Sequence, residues 1–301
     1  MDAEKVYAVQ KMQSYIQRNI TNTVTLSGLA KECGYSPFYC IKIFKDLMGK
    51  TPFEYIRSLR LSNAALRLRD GNVKVLDTAM DFMFDSHEGF TRAFSKEFGV
   101  TPSRYSKKPS PIKLFMPSPI LPYYLFCQRG EKSMEKANTN TVFVQVIERP
   151  ERKFILKRGK DAADYFQYCD EVGCDIWGVL CSIKEALYEP IGAWLPGKLI
   201  SHGTSQYVQG VEVPGDYAGE IPEGFEIITL EPCSMMVFQG PEFDDSDDSF
   251  CDAVDKIQEA MEKYNPITYG YSWADEESPR FQLEPQGWRG YMEARPVKKL
   301  L

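Results

Sequence analysis

The sequence predicts two domains of different class: an all-α N-terminal domain carrying a double helix-turn-helix, and an α+β C-terminal domain of two strand-helix-strand modules. Three observations lead there. The chain has 301 residues, enough for about two domains that each bury a core. Its hydrophobic period changes along its length. Its charge is divided: residues 1–108 hold 17 Lys+Arg against 11 Asp+Glu, and residues 109–301 hold 19 against 31. The net charge of −6 thus hides a basic first third. Salt screens charges beyond about 8–10 Å, so the local balance is the one a partner meets.

Residues 1–108 place apolar side chains three and four apart, with Gly, Ser-Pro and Thr-Pro as punctuation. Two segments within them repeat one plan: TLSGLAKECGYSPFYCIKIFKDLMGKTPFEYI, from Thr25, and KVLDTAMDFMFDSHEGFTRAFSKEFGVTPSRYS, from Lys74. In each, a short helix (Ser27–Cys33, then Leu76–Phe82) meets a tight turn. A second helix follows (Pro37–Met48, then Ser86–Phe98), and Gly-x-Thr-Pro opens another. Ser36 and Ser86 are N-cap types, and Gly34 suits a turn at positive φ. Pro37 stands where a helix loses nothing by lacking an N–H.

Helical phase then divides each second helix. Cys40, Ile43, Phe44 and Leu47 form the inward stripe of the first, leaving Phe38, Tyr39, Ile41, Lys42 and Lys45 outward. In the second, Phe90, Phe94 and Phe98 face in, and His87, Glu88, Thr91 and Arg92 face out. Exposed Phe38 and Ile41 suit thymine methyls and sugar edges. Arg92 suits a guanine edge, and Glu88 a cytosine amino group.

Residues 109–138 read as a junction, with four prolines between Pro111 and Pro122 and a charged end, GEKSMEKANTN. From residue 139 the pattern is mixed. VFVQVIERP, KFILKRG, GAWLP, SQYVQGVEV, FEIITLEPCSMMVFQGP and WRGYMEARPV read as strands. DYFQYCDEVGCDIWGVLCSIKEAL reads as one long helix, and FCDAVDKIQEAMEKY as a second. The order of elements suggests an internal pseudo-repeat. Trp177 lies on the long helix, and Trp194, Tyr207, Trp288 and Tyr291 lie on or beside strands. Glu293 stands between Met292 and Ala294, and shares a sheet face with Tyr291. Aromatics around a carboxylate are how a site holds a desolvated organic cation.

Other chemistry finds little support. The eight cysteines include no CxxC pair and the histidines are two, so neither a metal nor another cofactor is expected. Reduced, core-filling thiols are expected instead. EFDDSDDSFCD lacks the glycine of a calcium loop and reads as acidic capping of the helix after it. No Ser/His/Asp set or phosphate-binding glycine loop is present, and no catalytic residue is assigned. With no export signal and no run of about 18 apolar residues, the expectation is a cytoplasmic protein without a membrane partner.

The segments GYSPFYCIKIFK, GKTPFEYIRSLRLSNAALRL and DSHEGFTRAFSKEFGVTPSRY, in that order, resemble the DNA-binding domain of the AraC/XylS regulators over about residues 5–107. The resemblance implies two recognition helices entering successive major grooves of duplex DNA, with RNA polymerase as a further partner. Phe38 and Lys42 stand where that family often has Trp or Arg. VFVQVIERPERKFILKRG, ITLEPCSMMVFQGP and YMEARPVKK resemble the GyrI-like effector-binding domain. This implies a cleft for small molecules, often aromatic and cationic. Gln282 stands where that family often has Glu. Together they imply a ligand-responsive transcription regulator and not an enzyme; the alternative is a GyrI-like protein that sequesters or hydrolyses its ligand.

Overall fold

A computed structural model describes residues 2–71, 73–117, 119–121, 124–125, 142–243 and 249–300. The chain divides into two compact units, Met1–Lys132 and Ser133–Leu301.

The first unit is helical. Its elements are α1 (Ala3–Arg18), α2 (Leu26–Cys33), α3 (Pro37–Met48), α4 (Pro52–Asp70), α5 (Val75–Asp81), α6 (His87–Phe98) and α7 (Pro102–Lys107). The capping residues explain the boundaries. The side chains of Thr25, Ser36, Thr51, Ser86 and Thr101 each accept from a backbone N–H in the first turn that follows. This satisfies donors a helix start leaves open. Thr51 and Glu54 close a reciprocal capping box on α4. Gly34, Gly49 and Gly99 end α2, α3 and α6 in the left-handed region, where a Cβ is disfavoured. The second tight turn does without glycine: Met83 itself takes φ 63°. At 19 residues, α4 spans about 28 Å and joins two helix-turn-helix heads, α2–α3 and α5–α6.

Much of the proline-rich stretch belongs to this unit. Ile112, Leu114, Ile120 and Leu121 are buried, and Ile120 and Leu121 join the core formed by α1, α2, α3 and α4. The backbone N–H groups of Ile120 and Leu121 donate to Gln13 Oε1 (3.0 Å) and Gln10 Oε1 (3.1 Å) on α1. That of Phe115 donates to Ser62 Oγ on α4 at 2.7 Å. Phe115 also meets Tyr55 edge-on, centroids 5.1 Å apart. Residues 112–117 and 119–121 therefore form a strap across α1 and α4. The charged end, 126–138, lies outside the described residues.

The second unit is one antiparallel sheet with helices. It comprises β1 (Phe143–Arg149), β2 (Arg152–Arg158), α8 (Tyr165–Val172), α9 (Ile176–Ser182), β3 (Ile191–Trp194), β4 (Tyr207–Pro214), β5 (Glu226–Leu230), β6 (Cys233–Gln239), α10 (Ser249–Lys263), β7 (Tyr271–Trp273), β8 (Arg280–Leu283) and β9 (Met292–Lys299). The strand order is β1-β6-β9-β8-β3-β4-β2-β5, with β7 beside β9. The plan strand, strand, helix, strand, strand therefore runs twice, with the helix divided into α8 and α9 in the first half and β7 added in the second. The first strands are exchanged: β1 pairs with β6 of the second half, and β5 with β2 of the first.

The expected single helix from Asp164 is two short ones. Gly173, at φ 93° and ψ 144°, turns the chain where side-chain-bearing residues rarely can. The run beginning at Phe225 is likewise two strands, broken at Glu231-Pro232, because proline cannot donate within a ladder. The acidic stretch before α10 falls partly on residues 244–248, outside the described residues.

Burial follows the alternation of the strands. Ile155, Tyr207, Val211 and Val213 pack with Tyr168, Ile176 and Leu180 of α8 and α9. Met236, Phe238, Tyr291 and Val297 pack with Ala253, Ile257 and Met261 of α10. On the other face Phe154, Leu156, Ala193, Val208, Val237, Phe281 and Ala294 pack together. Also buried is an ionic triad. Arg149 and Arg152 both pair with Glu212, Arg152 Nε lying 2.7 Å from Oε1. Arg152 also donates to the carbonyl of Glu231 at 3.1 Å, and the Arg149 guanidinium lies 4.2 Å from the Tyr188 ring centroid.

Candidate functional site

In the first unit the site begins with the caps. Ser36 and Ser86 start α3 and α6 at equivalent points, so the two helices present equivalent faces. Cys40, Ile43 and Phe44 of α3, and Phe90, Ala93 and Phe94 of α6, are buried; Leu47 and Phe98 are half-buried. Opposite them, Phe38 is 88 % exposed, and Lys42, Lys45, His87, Glu88 and Arg92 are exposed. Three residues read as outward are not fully so. Tyr39 is half-buried, 5.0 Å from the Tyr35 ring and packed on the first head's core. Ile41 is half-buried. The Thr91 hydroxyl is buried without a hydrogen-bond partner. Tyr39 precedes Ile43 by one helical turn and Thr91 precedes Phe94 by three residues, so each borders the apolar stripe. The reading face that remains is a lysine pair with an exposed phenyl ring on α3, and His87, Glu88 and Arg92 on α6.

In the second unit, sheet register brings four of the six proposed ligand residues together. Gln282 pairs with both Gly192 and Glu293, and Trp194 with Tyr207 and Arg280. Alternation puts Trp194, Tyr207, Arg280, Gln282, Tyr291 and Glu293 on the helix-bearing face, at the seam where β3 meets β8. A chain of polar contacts runs through them. Gln282 Nε2 donates to the Tyr207 hydroxyl at 2.8 Å, and the Tyr291 hydroxyl lies 3.0 Å from Gln282 Oε1 and 3.2 Å from Glu293 Oε2. Trp194 packs edge-on against Tyr207, 5.0 Å between centroids, and donates its indole N–H to the Ala163 carbonyl at 2.8 Å. Gly192 makes room for this: a Cβ there would lie 1.9 Å from the Tyr207 hydroxyl.

Glu293 has no exposed surface, and Arg280 pairs with it through Nε and an Nη. Burial pushes the Glu293 carboxyl above its ordinary range, with Arg280 and the Tyr291 hydroxyl opposing that rise. Tyr291 is pushed well above its ordinary value, first by burial and then by the neighbouring carboxylate. The Arg280 guanidinium also lies 4.7 Å from the Trp194 ring centroid, with about a third of its side chain exposed. An organic cation is thus already held between an aromatic face and a buried carboxylate, and it is the chain's own.

The other two residues lie apart. Trp288 is 71 % exposed and donates to Gln286 Oε1 at 2.8 Å. It sits before Gly290, whose φ of 80° turns the chain into β9. Trp177 is half-buried on α9. Two cavities among the described residues, of ≈ 160 and ≈ 400 Å³, share no lining residue with the cluster. No helix among them is long and apolar enough to cross a membrane. Arg280 and Gly192 went unnoticed in the sequence. The alternation Arg280-Phe-Gln282 signals a shared face, but only the β3–β8–β9 register shows what it meets.

Residues 29–108 match the family model of a helix-turn-helix domain. Regulatory protein SoxS of Salmonella typhimurium is 36 % identical over 97 residues, 32 % of this chain and 91 % of that one. The right origin-binding protein of Escherichia coli is 35 % identical over 101 residues, 34 % of this chain. The match spans only 35 % of that relative's length. Among solved structures, SAV2435 bound to tetraphenylphosphonium is 18 % identical, with a TM-score of 0.37, covering 52 % of this chain and 94 % of that one. With both helix-turn-helix units in place and SoxS matched over nearly its whole length, the chain belongs, through its first unit, to the AraC family of helix-turn-helix regulators.

Proposed function

We propose that this protein is a ligand-responsive transcription regulator. Its first unit reads two successive major grooves of duplex DNA, and its second unit senses a small organic molecule. The ligand alters how the heads sit on DNA or meet RNA polymerase, and the protein works in the cytoplasm. The observation that carries the reading is the pair of equivalent heads, α2–α3 and α5–α6, on one capped helix, each with its charged face uncovered. A groove-reading helix needs that exposure. The net charge of +6 over residues 1–108 supplies the attraction to phosphate.

Affinity of the whole protein for duplex DNA should fall as salt rises, each phosphate contact adding about 0.9 to the log–log slope. Arg92→Ala and Lys42→Ala should each weaken specific binding by about 1–3 kcal/mol. Lys31→Ala, on the exposed side of α2, should have a small effect, equal for all sequences. Equal losses from all three would show that the reading faces are misassigned.

The buried Glu293, with Tyr291, Tyr207 and Trp194 around it, supports a sensing role for the second unit, as does its resemblance to GyrI-like domains. Arg280 defines the ligand. It occupies the place a lipophilic cation needs, so an entering cation displaces the guanidinium from Trp194 and inherits its carboxylate. Glu293→Gln keeps the shape and removes the charge. In calorimetric titrations it should weaken lipophilic cations far more than neutral isosteres. Equal weakening of both classes would make Glu293 structural. Recovery of a chemically altered ligand would favour the alternative, a hydrolytic protein.

A further inference from the structure

The first head contains a feature its DNA-reading role does not require. Cys33 is the last residue of α2 and Cys40 lies in the first turns of α3. Gly34, at φ 76°, reverses the chain between them, and Ser36 caps the start of α3. The reversal brings the two sulfur atoms to 3.1 Å. A disulfide is about 2.03–2.05 Å long, so closure requires an approach of roughly 1 Å. Cys40 is fully buried and Cys33 half-buried. Among the described residues, these thiols also contact the carbonyls of Ala30 and Tyr35, at 3.8 and 3.9 Å.

The second head shows that thiols are not needed to fill this place. Counted from the residue at positive φ and from the capping serine, Phe82 and Phe90 take the positions of Cys33 and Cys40. Both are buried. One head thus closes its turn with two aromatic rings and the other with two facing thiols.

We propose that Cys33 and Cys40 are a peroxide-oxidisable dithiol, whose disulfide draws the start of α3 toward α2 and weakens DNA binding by the first head. The accessible thiol reacts first. Cys33 Sγ attacks the peroxide O–O bond, giving Cys33–SOH and one water. The Cys40 sulfur then attacks that sulfur, the S–O bond breaks, and a second water leaves with the Cys40 proton. Two thiols lose two electrons and two protons, and hydrogen peroxide is reduced to two waters. Burial, then the Cys33 contact, push the Cys40 thiol up to about 12. This agrees with the less buried Cys33 reacting first. A dithiol reductant reverses the reaction by exchange. Cys233 serves as an internal control, whereas Cys169 and Cys174 contact each other and are mapped separately as a second pair.

The DNA effect rests on the first head reading DNA, and the test separates the two claims. The whole reduced protein selects a duplex from a random-sequence pool. It is then treated with hydrogen peroxide, alkylated and mapped by peptide mass spectrometry. A Cys33–Cys40 bridge is expected, with affinity for the selected duplex lowered by about tenfold and restored by dithiothreitol. Cys33→Ser and Cys40→Ser should each bind the duplex equally before and after peroxide. Absence of the bridge in the mapped wild-type protein overturns the proposal, whatever the variants do. A bridge without a change in affinity overturns its regulatory half. Failure of the reduced protein to select any duplex counts against the DNA-reading function and leaves the dithiol to be decided by the mapping.

Discussion

Cutting the chain after Lys108 should leave a helical domain that unfolds far more readily than one ending at Leu125. The shorter fragment has every helix of the two heads, yet it lacks Ile112, Leu114, Ile120 and Leu121, all buried. It also uncovers the Gln10 and Gln13 side-chain carbonyls, which accept the N–H groups of Leu121 and Ile120. Within the whole protein, Leu121→Ala should lower the stability of this unit by about 2–5 kcal/mol, the range for a buried leucine whose surroundings cannot collapse. Thermal denaturation of both fragments, followed by far-ultraviolet dichroism, measures the strap directly. Equal midpoints would mean that residues 109–125 are a tether lying on the surface.

The largest single-residue effect in the second unit is expected at Glu212. Arg149, Arg152 and Glu212 are each at least nine-tenths buried, and the lone carboxylate answers two guanidinium groups. Glu212→Gln leaves both charges buried without their partner. Breaking a buried pair in this way costs about 3–5 kcal/mol, equivalent to a fall of roughly 10 °C in midpoint for a domain of this size. Replacing all three residues by apolar side chains of similar volume should be much milder, because it removes the desolvated charges together. Scanning calorimetry of the two variants decides it. A harmless Glu212→Gln would show that water or Arg149 rearrangement relieves the triad.

The parts of the fold that were legible in the sequence are those written locally. Ser36-Pro37, Thr51-Pro52 and Thr101-Pro102 each place a cap and a proline in adjacent positions, and helices begin there. The strands at Phe143, Lys153 and Tyr207 follow from alternation. What failed was nonlocal or rested on a single backbone angle. Gly173 inside a helical pattern is a tolerable residue until its φ is known. The prolines around Ile120 left open whether the junction is free or docked, because the groups that dock it, Gln10 and Gln13, lie more than a hundred residues earlier. For the candidate ligand site, alternation gave the shared face of Tyr291 and Glu293. It did not give Arg280, whose place beside Glu293 depends on how β8 pairs with β9. Nor did it show Trp288 to be exposed on a turn.

The exchange of β1 and β5 has a consequence for how the second unit comes into being. When the chain has been synthesised as far as Pro214, β1 has no partner, since β6 does not yet exist. The outer edge of β2, with its Phe-Ile-Leu run, is also open. An uncovered apolar edge of this kind invites pairing with other chains. In the second half β5 and β6 are neighbours in sequence, yet β5 forms one edge of the finished sheet and β6 lies beside β1 near the other. Neither half can close first and wait for the other. The unit must fold as one late, cooperative event dominated by contacts between distant residues, the kind of topology that folds slowly. Its vulnerable period is the interval on the ribosome before residue 299 emerges, and the demand for chaperones falls there.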